Sequence, residues 1–234
     1  MIIKLKTVVL YIGMFIGRLM KVRKIVVLGD VVSSSNITLR ERFQEDLYNA
    51  CNKVNSEYGN DIYAQFKIIK GADEIGGVLD STVNIYNIFD LYNTYLYPKK
   101  IRMVFVRDYI DTSVEGKDVS LMDGQAFHKA SNLMNDLKKD QMLFNIFITG
   151  NNFDISIVNQ VNLIQVIKNN WTPNQLNVFN QYKTFLNQKE TAKEIHSTAQ
   201  YISKTLKRIN SSEIQKAENN INNILKSIQN EESE

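Results

Sequence analysis

Read by the spacing of its apolar and polar positions, the chain divides into strands and helices with few ambiguous stretches. Residues Ile25 to Gly29 (IVVLG) form an unbroken, largely β-branched run, the pattern of a strand buried on both faces. Asp30 follows at once, and Ser33, Ser34 and Ser35 open a loop. Between Arg40 and Tyr58 the residues Phe43, Leu47, Ala50, Cys51 and Val54 recur three and four apart, which predicts an amphipathic helix. Gln65–Lys70 (QFKIIK) alternates as a half-buried strand. A turn over Gly71–Glu74 then leads to the apolar return Ile75–Leu79, which predicts a hairpin. Ser81 is a candidate cap for a second helix running to about Tyr97, where Pro98 stops it. Ile101–Val106 (IRMVFV) reads as the next strand.

This order, βαββαβ, is the split βαβ arrangement of ferredoxin-like α/β (α+β) domains. After a polar loop at Asp111–Ser120, a helix is expected from Asp123–Gly124 to about Leu137, a strand over Met142–Ile148 and a helix over Ile155–Asn169. Trp171 marks a boundary. Thr172, Pro173 and Gln175 spell a capping box with proline at the first helical position, and Trp171 with Leu176 forms the matching hydrophobic staple. Asn187 is a second cap. Ser212–Gln229 puts Ile214, Ala217, Ile221, Ile224, Leu225 and Ile228 on one face, which must pack on the body or on a partner chain. The expected organisation is an N-terminal extension (1–19), a ferredoxin-like domain (20–170) and a small all-α domain (171–234).

Composition narrows the classes. A 234-residue chain that is 44% hydrophobic can bury a large core, and two prolines with ten glycines argue against an all-β sandwich. Cys51 is the single cysteine and there are two histidines, which excludes an intramolecular disulfide framework and disfavours a Cys/His metal cluster; a cytoplasmic location fits. The net charge of +3 comes from Lys4, Lys6 and Arg18, and from Met20 onward the charges balance. Whole-chain charge therefore gives no support to nucleic-acid binding; only local patches can. The apolar run Thr7–Gly17 is too short to span a bilayer comfortably. A membrane-surface anchor and an extra strand are both open for residues 1–23, and the preferred reading starts the functional protein at Met20, with no membrane partner.

Two constellations can carry function. At 188–208 (QKETAKEIHSTAQYISKTLKR), Ala192 supplies the small residue that two crossing helices need, and His196 sits in the turn between them. Histidine departs there from the usual glycine but tolerates positive φ better than most residues. Thr198 can cap the second helix, whose outward residues would be Ala199, Gln200, Ser203, Lys204 and Lys207, with Arg208 beside them. The window carries five basic residues against two acidic ones. Glutamine can read adenine and lysine can contact phosphate or guanine, so this predicts a helix-turn-helix that binds DNA as a homodimer; a plain helical hairpin is the alternative. The second constellation is Asp30 with Asp73 and Glu74, which a βαββαβ fold brings to one end of neighbouring strands. Such carboxylates can hold Mg²⁺ and bind a nucleotide. Asp123 and Gly124 are a candidate ligand-binding loop closing that site at a helix N-terminus. No catalytic residue is assigned unless Asp30 and Asp73 serve as one.

The stretches LGDVVSS (28–34), ADEIGGVL (72–79), MDGQAF (122–127) and WTPNQ (171–175), followed by a helix-turn-helix, resemble the SatD family of bacterial proteins over about residues 20–230. The first part in turn resembles the palm-type core of class III nucleotidyl cyclases and diguanylate cyclases. That likeness implies metal-binding roles for Asp30 and Asp73, with Glu74 adjacent. The chain departs from the pattern: the hairpin has Ala72, Ile75 and Gly76 where the family usually has glycine, phenylalanine and glutamine. The strand usually written F-G-I-G-x-G is here Met103–Asp108 (MVFVRD), without its glycines. Members are associated with acid tolerance and secretion. Taken with the helix-turn-helix window, the expectation is a DNA-binding regulator whose first domain is a degenerate cyclase-like ligand-sensing or dimerisation domain. A metal-dependent nucleotidyl-transfer enzyme and a membrane-surface interaction protein are the alternatives.

Overall fold

The computed structural model describes residues 21–33, 40–71, 73–111 and 117–231. Expectations for residues 1–19 lie outside them. Five strands form one sheet: β1 (Lys21–Val31), β2 (Ile62–Lys70), β3 (Glu74–Leu79), β4 (Ile101–Asp111) and β5 (Phe144–Phe147), in the order β2-β3-β1-β4-β5. All neighbours are antiparallel except the parallel pair β4–β5. Eight helices accompany them among the described residues. α1 (Arg40–Glu57) follows β1, α2 (Ile85–Tyr95) follows the β2–β3 hairpin, α3 (Gln125–Asp140) follows β4 and α4 (Asn152–Lys168) follows β5. The last four are α5 (Pro173–Phe185), α6 (Gln188–Glu194), α7 (Ala199–Arg208) and α8 (Ser211–Glu231).

The two-residue period of the strands divides the core into two layers. Ile25, Val27, Phe66, Ile75, Leu79, Met103, Phe105 and Phe144 face α1, α2, α4 and the C-terminal helices in one continuous cluster. On the other face Val26, Val78, Val104, Val106 and Ile110 pack against Ala126, Ala130, Met134 and Leu137 of α3. The central strand is thus covered on both sides, as its apolar run requires. Gly77 makes this packing possible at one point, because a Cβ there would lie 2.6 Å from the Phe66 ring.

β4 extends five residues beyond the Val106 expected from hydrophobicity. Its polar end pairs with the equally polar start of β1, Lys24 in register with Asp108 and Lys21 with Asp111, and two of these charges find partners outside the pair, Lys24 in Asp80 and Asp108 in Lys129. Buried Asp108 would be raised by desolvation, but the Lys129 ammonium 2.6 Å away and the Tyr109 N–H hold its carboxyl below the ordinary value. Ser81 does not cap α2. It accepts the Val83 N–H at 3.2 Å, and the helix begins only after Asn84, because Thr82 is drawn aside to bond α8. Each sheet edge is partly closed by an asparagine from a helix. Asn55 of α1 pairs with both backbone groups of Phe66 on β2, and Asn162 of α4 accepts from Leu143 and Phe144 N–H while donating to the Phe144 carbonyl beside β5. Occupied backbone groups leave less of each edge free for another chain to pair with.

Candidate functional site

The C-terminal helices start where the caps predict. Thr172 and Gln175 form the reciprocal capping box, Asn187 accepts the N–H groups of Lys189 and Glu190, and Thr198 accepts that of Tyr201. α6 and α7 are joined by the four residues 195–198, in which His196 adopts φ +53°. The Ser197 N–H closes the turn on the Ala192 carbonyl at 2.8 Å. Ala192, Ile202 and Leu206 are buried where the helices meet, and Ile195 is half-buried beside them. On the opposite side of α7, Gln200, Ser203, Lys204, Lys207 and Arg208 are exposed, and Ala199 is half-buried. The helix carries three cations and no acidic residue, so its outer face is positive.

The carboxylates of the first part meet only in part. Asp30 and Glu74 stand opposite each other on β1 and β3, and Arg102 stands opposite Asp30 on β4. Asp30 is buried and held by two cations, with Lys138 Nζ at 2.8 Å and Arg102 Nη1 at 3.4 Å. Asp30, Glu74 and Lys138 line a groove of about 350 Å³ between the sheet and α3, with Leu28, Ile69 and Phe127 among its apolar walls. Asp73 is not part of that lining; its carbonyl accepts the Val31 N–H at 3.1 Å. Among the described residues no group of three or more His, Cys, Asp or Glu side chains is assembled as a metal site. Lys138 was not read from the sequence as a site residue. Its signal was there, since Phe127, Ser131, Met134 and Lys138 recur at helical spacing on the groove side of α3.

Asp123 and Gly124 lie at the other end of the sheet. The Asp111 N–H donates to the Asp123 carbonyl at 2.8 Å, and a Cβ on Gly124, at φ +126°, would lie 2.9 Å from the backbone of β4. Asp30 pairs with Arg102, nine positions along β4 from Asp111, a separation of roughly 30 Å. Asp123 and Gly124 therefore do not reach the Asp30 groove, whereas Phe127, at the other end of the stretch expected to close it, lines its wall. α3 runs back along the sheet and presents its C-terminal turn, with Lys138, to Asp30.

One cluster went unread. Asp90 of α2, Lys168 of α4, Lys183 of α5 and Glu218 of α8 form a closed ring of charges. Lys168 is 2.7 Å from Asp90 and 2.5 Å from Glu218; Lys183 is 3.1 Å and 3.0 Å from the same two. The Tyr86 hydroxyl donates to Glu218 at 2.8 Å, and burial followed by the nearby carboxylates pushes that phenol well above its ordinary value. Burial works against the Asp90 charge, yet the Lys168 and Lys183 ammoniums outweigh it and hold the carboxyl at about 2. Thr82 adds two bonds to α8, donating its hydroxyl to the Leu225 carbonyl and its N–H to Gln229. This junction ties the C-terminal helices to the sheet-bearing body.

The family model that matches this chain is that of the SatD family, over residues 24–226. No curated protein matches the chain. No helix among the described residues is long and apolar enough to cross a membrane.

Proposed function

The chain belongs to the SatD family, and from that premise we propose that it is a cytoplasmic DNA-binding regulator. In this reading α6 and α7 form a helix-turn-helix and α7 is the reading helix. The observation that carries it is the bare outer face of α7, which the body leaves uncovered while Ile202, Thr205 and Leu206 anchor the opposite side. Gln200 suits bidentate contact with adenine, and Lys204, Lys207 and Arg208 suit phosphate or guanine. The strand order β2-β3-β1-β4 with antiparallel neighbours supports a ferredoxin-like, palm-type first domain. With Asp30 already neutralised, its groove is read as a degenerate cyclase-like site that senses a ligand such as a nucleotide.

The test is binding of the full chain to genomic DNA fragments, followed by fluorescence anisotropy across a salt series. Wild type should bind with strong salt dependence. Lys204→Ala and Lys207→Ala should each weaken binding across all sequences and lower the salt slope by about one. Gln200→Ala should instead relax preference at one base position. Absence of DNA affinity at low salt removes the proposal.

Metal-dependent nucleotidyl transfer is the second reading, favoured by Asp30 and Glu74 facing each other in one groove. The residues do not fit a divalent ion in this arrangement, because Lys138 and Arg102 already satisfy Asp30. Turnover of a nucleoside triphosphate with Mg²⁺ or Mn²⁺, abolished by Asp30→Asn, would favour this reading over DNA binding.

A further inference from the structure

The outward side of α4 carries no charge and mixes apolar residues with amides and a hydroxyl. Ile155, Leu163 and Val166 are 60%, 62% and 60% exposed, and the same side carries Asn152, Ser156 and Asn159. The two ionic residues of this 17-residue helix both point inward. Asp154 accepts the N–H groups of Ile148 and Gly150, and Lys168 belongs to the buried ring. An outer helix face without charge is unusual in a chain that is 23% charged, because solvated faces ordinarily carry Lys, Arg, Asp and Glu. The spacing from Asn152 through Ile155, Asn159, Leu163 and Val166 makes a seam, about 20 Å long, of the kind by which helices pair.

We infer that this face pairs two copies of the chain, α4 against α4 about a two-fold axis. In such an interface each residue meets the same patch on its copy, so a charge would face its own kind. Every polar group on this seam is an amide or hydroxyl that both donates and accepts, and is therefore compatible with itself. Antiparallel pairing centred between Ile155 and Val166 brings Ile155 toward Leu163 and Val166 of the other copy and leaves Asn159 near the axis. A membrane surface fits less well, since helices that lie in the headgroup region flank their apolar stripe with Lys and Arg, and this one has none. A helix about 25 Å long and 10–12 Å wide buries a few hundred Å² per copy, which makes the dimer reversible rather than obligate.

Sedimentation velocity on the full chain tests this. Mass should rise from one chain toward two as protein increases through the micromolar range. Leu163→Glu combined with Val166→Glu should hold the protein at one chain with an unchanged circular dichroism spectrum, while Tyr48→Glu on α1 should still dimerise. Asn159→Cys should cross-link to its copy under mild oxidation, and Cys51 is buried and does not compete. That cross-link decides the matter if the double variant fails to fold. A single-chain mass throughout overturns the inference, as does a dimer that survives in the folded double variant. Flotation of single chains with phosphatidylglycerol vesicles would assign the face to a membrane and also overturn it.

Discussion

Glu218→Gln tests the junction that holds the C-terminal helices in place. The residue is 3% exposed and faces two lysines, with Tyr86 donating to one of its oxygens. The amide keeps the volume but leaves two ammoniums against Asp90 alone, so a buried, balanced ring gains one net positive charge. Removing one member of a buried ion pair costs about 3–5 kcal/mol. Lys183 is partly exposed and can turn toward water, which places the expected loss near the lower figure, about 3 kcal/mol. Against a typical total stability of about 5–15 kcal/mol that is a large fraction. With a urea slope of about 2 kcal/mol per molar, the midpoint should fall by about 1.5 M. Glu218→Leu combined with Lys168→Met removes a whole pair, leaves Asp90 with Lys183, and should cost less than the sum of the two single changes. The assay is urea unfolding followed by far-UV circular dichroism. A midpoint shift below about 0.5 M for Glu218→Gln, or strict additivity in the pair, would refute the idea that these charges act as one buried unit.

Two further outcomes follow from named contacts. The Asp90 carboxyl is held at about 2, below its ordinary value, so its ion pairs favour the folded state above the ordinary carboxylate range and that contribution drains as pH falls toward 2. The amount is about 2 kcal/mol, and Asp90→Asn should flatten the stability profile between about pH 4 and pH 2 in urea titrations; an unchanged acid limb would count against it. Asn162→Ala strips the partners from Leu143 and Phe144 at the β5 edge and should cost about 1–3 kcal/mol. Hydrogen exchange should then accelerate at the Leu143 and Phe144 amides and not at Val26 or Val27 in the sheet centre; uniform acceleration would mean a global effect instead.

What could be read from the chain alone follows from the range of the forces involved. Caps are local, so Thr172, Asn187 and Thr198 announced helix starts that the structure places within a residue. The strand period is also local, and Ile25 to Gly29 was legible as a doubly buried strand. The polar half of β4 was not, because it is held by backbone pairing with β1, more than eighty residues earlier, and Asp108 by the Lys129 ammonium of α3. The charged ring was invisible for the same reason. Asp90, Lys168 and Glu218 each look like a solvated helix residue until three helices bring them together. Asp123 and Gly124 failed as part of the Asp30 site because the helix after them begins at the far end of the sheet. The same reversal placed Lys138, from the end of α3, where a loop had been expected.

If α7 binds DNA as proposed, the two faces of the sheet restrict how a ligand in the Asp30 groove could govern it. The Asp30 groove lies between the sheet and α3, whereas the C-terminal helices share the core cluster on the opposite face. β1 spans both, with Val26 on the groove side and Ile25 and Val27 on the other. A ligand whose phosphate draws Lys138 away from Asp30 would release the end of α3 without touching α6 or α7. Under the proposed reading, control of DNA binding then requires two arrangements of the body that differ in affinity for both ligand and DNA. Linkage makes that requirement measurable: a ligand that weakens DNA binding by some factor must itself be bound more weakly, by the same factor, when DNA is present. Lys138→Met removes that ammonium and leaves the α7 face intact. It should alter ligand affinity while leaving DNA affinity without ligand unchanged. A change in DNA affinity without ligand would mean that the α3 end and α7 are coupled through the sheet even in the empty protein.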